Sequence, residues 1–117
     1  MEFILFLSFN DVSFGDYGPI ISNPEIDTRV ECYKLENGWD DVDLFDEDIN
    51  SINKKCNSLL DYGDIEFFDS EKCVLLESWI INRLAQPASL RYHELLEILR
   101  DYCHRASELK TGVYIDL

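Results

Sequence analysis

The residues with the greatest capacity for chemistry lie in one short stretch, Asp40-Asp41-Val42-Asp43-Leu44-Phe45-Asp46-Glu47-Asp48, which holds six carboxylates in nine positions and no basic residue. Carboxylates at this density could hold a divalent cation, imitate a phosphate backbone, or engage the lysines and arginines of another protein. A calcium loop of the EF-hand kind needs a glycine at its sixth position and a bidentate glutamate at its twelfth. Counted from Asp41, those positions are Asp46 and Ile52, so the metal reading fails. A solvated loop capping a helix would account for the acids alone. Trp39, Leu44 and Phe45 exceed what solvation requires; they are either tucked into the core or bulky anchors of an interface. The docking reading predicts a partner-binding surface of Trp39, Asp40, Asp41, Asp43, Phe45, Asp46, Glu47 and Asp48.

Other candidate groups fall to simple geometry. His93, Glu97, Arg100 and His104 share one face of a helix, but imidazoles eleven residues apart stand about 16 Å apart along the axis, too far to share an ion. Cys32, Cys56, Cys73 and Cys103 are separated by 24, 17 and 30 positions, so no Cys-x-x-Cys pair suggests zinc or redox work. Three of the four thiols fall on apolar helical stripes, where packing is their use. No serine stands in a nucleophile elbow, and the glycines form no phosphate loop. The expectation is a binding protein and not an enzyme, with no metal and no cofactor.

Composition narrows the partner. At 117 residues the chain fits a single domain, residues 1–117, and 46% hydrophobic with 13% aromatic content supplies a core that acidic disordered tails lack. A formal charge of −14 disfavours nucleic acid and anionic membranes and leaves basic proteins. The charge is lopsided: residues 1–53 carry 13 acidic and 2 basic side chains, hence −11, and residues 54–117 carry 11 and 8, hence −3. Such a field accelerates encounter with a cation-rich surface. The opening Met1–Phe9 stretch has no basic n-region and no small-residue cleavage site, so it reads as a buried strand; with free thiols it predicts a cytoplasmic protein.

These residues need elements to position them. Phe3–Leu7 is apolar throughout, the pattern of a central strand covered on both faces. Asn10–Asp27 reads as a long connection. Arg29–Leu35 alternates as a second strand, with Val30 and Cys32 on one face and Glu31, Tyr33 and Leu35 on the other. A first helix is expected from Asp43 or Asp46 to Tyr62-Gly63, burying Ile49, Ile52, Cys56, Leu59 and Leu60. After an Asp64–Phe68 connection, a second helix runs from an Asp69 or Ser70 cap to about Ala85. A third follows Ser89, with Tyr92, Leu95, Leu96, Leu99, Tyr102, Cys103 and Ala106 on one stripe and Gly112 as its terminator. Val113–Leu117 closes the chain as a strand. Strand, strand, three helices, strand predicts an α+β fold, three helices on a small sheet containing both terminal strands.

The chain resembles the small acidic immunity proteins of bacterial polymorphic-toxin and contact-dependent growth-inhibition systems. The resemblance is carried by size, acidity, the acidic patch with Trp39, Leu44 and Phe45, and the ending Ala106–Leu117 of helix, glycine and strand. It implies a cytoplasmic protein that binds a cognate toxin domain, often a nuclease, and blocks its active site. It implies no catalytic motif. The alternatives are a nucleic-acid mimic or anti-restriction inhibitor, a metal-dependent enzyme using the Asp40–Asp48 acids, and an adaptor whose acidity serves solubility. Open sheet edges would permit a monomer or a weak dimer.

Overall fold

A strand that is apolar at every position has to be sandwiched, and the rest of the chain supplies both covers. The computed structural model describes residues 1–117. Its six strands are β1 (Glu2–Phe6), β2 (Phe14–Gly15), β3 (Gly18–Pro19), β4 (Val30–Lys34), β5 (Ile65–Asp69) and β6 (Gly112–Asp116). Its four helices are α1 (Trp39–Asp43), α2 (Ile49–Cys56), α3 (Ser70–Leu84) and α4 (Leu90–Leu109). The main sheet is antiparallel in the order β4-β1-β6-β5, so both terminal strands lie at its centre, with Phe3 opposite Ile115 and Leu5 opposite Val113. Phe3, Leu5, Val113, Ile115 and Phe68 face the helices. Ile4, Phe6, Val30 and Tyr114 form a second cluster on the opposite face, closed by Phe9, Val12, Ile21 and Phe67. The fold is α+β, as expected.

That second cover is the long connection. β2 and β3 pair as a two-residue-stranded hairpin, and the Tyr114 hydroxyl donates to the Pro19 carbonyl at 2.6 Å, pinning it to the sheet. Gly18 (φ 130°) permits the approach, because a Cβ there would stand 2.8 Å from that hydroxyl. No helix is long and apolar enough to cross a membrane.

α3 and α4 match their expected N-caps, and α4 its expected stripe. Asp69 accepts from the Lys72 N–H, Ser89 accepts from the Tyr92 N–H, and the seven stripe residues of α4 are the seven it buries.

Elsewhere the structure departs from expectation. Asp64–Phe68 is no connection; Ile65–Asp69 pairs with β6 as an edge strand too short for its alternation to stand out. The expected first helix is the shorter α2, which neither Asp43 nor Asp46 opens, and a one-turn helix that was not expected, α1, precedes it. α2 ends at Cys56, where Asn57 turns left-handed (φ 53°) and the Asn53 amide knits the exit by accepting from Ser58 Oγ and Leu60 N and donating to Leu60 O. Leu60 still packs into the core, whereas Leu59 is left in solvent.

Gly112 does not terminate α4. Lys110 makes the left-handed turn (φ 58°), and Gly112 begins β6 where the Phe67 ring crosses the backbone. A Cβ at Gly112 would fall 2.4 Å from that ring and 2.6 Å from the Phe68 carbonyl. Gly112→Ala should therefore cost about 1–3 kcal/mol, read as the shift in urea midpoint, because a backbone oxygen cannot swing aside.

Candidate partner-binding surface

Gly38 (φ 54°) turns the chain out of β4 into α1, and from there an apolar spacing of Val42, Phe45, Ile49 and Ile52 holds the acidic segment against the helices. The same spacing divides the carboxylates. Asp41 is 1% exposed and lies on the inner face, where it accepts from Arg91 Nε at 2.9 Å and Arg91 Nη2 at 2.7 Å, and from the Asn37 backbone and amide at 3.0 and 3.2 Å. The Arg91 guanidinium holds the Asp41 carboxyl at about 2, well below the usual 3.8. Asp48 turns inward too, accepting from Tyr92 Oη at 2.6 Å and Arg83 Nε at 2.9 Å. Arg83 also stacks over the Tyr92 ring at 5.4 Å. Burial, and then the Asp48 carboxylate, push the Tyr92 hydroxyl's pKa up, so it stays a donor.

Three members of the expected surface are thus structural. Asp41 has no area to offer a partner, and Phe45, fully buried, meets Phe3 and Tyr92 edge-on at 6.2 and 5.1 Å. Asp48, mostly buried, is neutralised by Arg83. The segment carries no cation of its own, but the fold delivers two from α3 and α4.

The remaining members stay outside. Asp40, Asp43, Asp46 and Glu47 are exposed, and none has a cationic group within 4 Å. Trp39 is 58% exposed beside Asp40, and Leu44 is half-buried. Asp46 accepts from Tyr62 Oη at 2.6 Å, and burial together with Asp46, Asp43 and Asp61 raises the pKa of that phenol. Asp43, Asp46 and Asp61 therefore gather around Tyr62, and Asp61 is a member that the linear cluster left out. A shallow cleft of about 360 Å³ between Asp43, Asp46 and Glu47 on one side and Pro87 and Ala88 on the other completes the ridge.

Other groups have occupations of their own. His104, on an exposed face, lies between Glu77 on α3 and Glu108, at 2.9 and 2.6 Å, and so links α4 to α3 at the surface. Arg105 holds Glu31 of β4 through two hydrogen bonds at 2.9 and 3.0 Å. Cys56, Cys73 and Cys103 are buried together; burial pushes the Cys56 thiol up to about 11, and a hydrogen bond with Cys73, then burial, raises Cys103. Such thiols are poor nucleophiles.

No protein-family model matches this chain, and no curated protein or solved structure matches it either.

Proposed function

We propose that this protein is an inhibitor of the immunity type that binds one cognate toxin domain, of the nuclease class, by laying its acidic ridge over the toxin's basic active-site surface. The observation that carries the reading is the split among the six carboxylates. Two are consumed by Arg91 and Arg83 and fix the segment to α3 and α4, while four stay uncompensated in solvent beside an exposed tryptophan.

A nuclease has to present lysines and arginines to phosphates, and pre-positioned carboxylates meet the same groups through charge-assisted hydrogen bonds. The −14 charge would lift association toward ~10⁸ M⁻¹s⁻¹ at low salt. Trp39, once desolvated against the partner, would govern dissociation.

The test captures a toxin domain from the native host with this protein as bait, and follows binding of the purified domain by stopped flow across a salt series. Replacing Asp40, Asp43 and Asp46 by Asn and Glu47 by Gln should slow association by about 10–100-fold at low salt. The melting point should stay within a few degrees, since the amide oxygen at position 46 can still accept from Tyr62 Oη and the relief of self-repulsion offsets the weaker bond. An on-rate indifferent to ionic strength, or unchanged protection of cells by the variant, would reject the reading. Asp41 and Asp48 are left out of this variant because they are tied into the fold.

A further inference from the structure

The two edges of the main sheet are finished differently. β4 is overlain by the preceding turn, where the Pro24 carbonyl accepts from the Cys32 thiol at 3.5 Å and Glu25 pairs with Lys34. β5 has no turn laid over it: its side-chain hydrogen bonds beyond the sheet are the Cys73 thiol donating to the Phe68 carbonyl at 3.3 Å, the Lys72 N–H donating to Asp69 and the Leu59 N–H donating to Glu66. Soluble proteins blunt an open edge, and an edge left flat among apolar groups invites an added strand.

Apolar side chains flank this edge on both faces. On the hairpin face Ile65, Ile20 and Tyr17 are 50, 56 and 91% exposed and border a groove of about 390 Å³ floored by Tyr114. On the helix face Leu59, 83% exposed, is held beside the edge because its N–H donates to the Glu66 carboxylate.

We propose that β5 receives an extended segment of a cationic protein partner as a fifth strand, with its alternate apolar side chains on the Tyr17 and Ile20 shelf and the intervening basic side chains on the opposite face, their stems beside Leu59. Those basic residues would meet Glu66 and, at the strand's start, Asp64. A second copy of this chain fits poorly. Antiparallel self-pairing centred on Glu66 sets that carboxylate against the other copy's Glu66, and any register joins two molecules of charge −14. The inference deepens the toxin-binding reading, because ridge and edge are continuous: Tyr62 bonds Asp46 and lies three residues, at most roughly 10 Å of chain, from Ile65.

The probe is a heptapeptide alternating lysine and valine, titrated into the ¹⁵N-labelled protein. Amide shifts should concentrate at Ile65–Asp69, Tyr17, Ile20 and Leu59. A Tyr17→Ser, Leu59→Ser variant, altered only at exposed positions, should bind about tenfold more weakly with an unchanged melting point. Backbone N-methylation at alternate peptide residues, or glutamate in place of lysine, should abolish the shifts. Equal binding by the methylated or acidic peptide overturns the proposal, as do shifts elsewhere or none. Shifts at β5 that grow with protein concentration alone would give the edge to a second copy and overturn it too. The peptide bypasses the toxin, so a failed ridge leaves this result readable, and a failed edge leaves the salt series readable.

Discussion

Arg91→Ala is expected to destabilise the protein by about 3–5 kcal/mol, the cost of stranding a buried carboxylate without its cation. Asp41 is 1% exposed and takes both hydrogen bonds of the Arg91 fork, while the same guanidinium reaches Tyr33 Oη at 3.1 Å. The pair therefore joins α1, β4 and α4. Its sign with pH follows from the depressed carboxyl. Asp41 titrates at about 2 in the fold against 3.8 ordinarily, so its contribution is present above 3.8 and drains away as pH falls through about 2. That contribution is about 2 kcal/mol by linkage. Urea unfolding across the acid range should show this slope in the wild type and a flatter one in Arg91→Ala. A loss under about 1 kcal/mol would mean the pair behaves like an exposed one. Replacing both residues, Asp41→Leu with Arg91→Met, should recover much of the loss, since no charge is then left buried without a partner.

Phe45→Ala should cost about 3–5 kcal/mol, whereas Trp39→Ala should stay within about 0.5 kcal/mol. The two aromatics sit six residues apart in the same acidic stretch, yet Phe45 is fully buried against Phe3 and Tyr92 and Trp39 is 58% exposed. Each edge-on aromatic pair adds about 0.5–1.5 kcal/mol beyond area burial. Paired melts of the two variants measure which aromatic belongs to the fold and which is free to serve a partner. Trp39→Ala that melts like Phe45→Ala would remove the tryptophan from the proposed ridge.

Much of the architecture was legible because it depends on local pattern. The unbroken Phe3–Leu7 run predicted a central strand, and β1 lies between β4 and β6. The stripe behind Ser89 predicted α4 residue by residue, and Asp69 and Ser89 cap as their side chains allow. The ridge was half legible. Continuing the apolar spacing of Ile49, Ile52 and Cys56 backward reaches Phe45 and Val42, a signal that would have placed Phe45 and the adjoining Asp41 on the inner face. Nothing local marked β5, whose five residues are defined by β6 partners 43 to 51 positions later in the chain.

The sequence by itself determined the α+β layers, the N-caps of α3 and α4 and the excess of negative charge, because periodicity, capping and composition act within a few residues of chain. Only the tertiary structure decided which carboxylates are spent and which are free. Arg83 and Arg91 lie 35 and 50 positions from the aspartates they neutralise, and Coulomb attraction depends on distance in space, which folding sets and sequence separation does not.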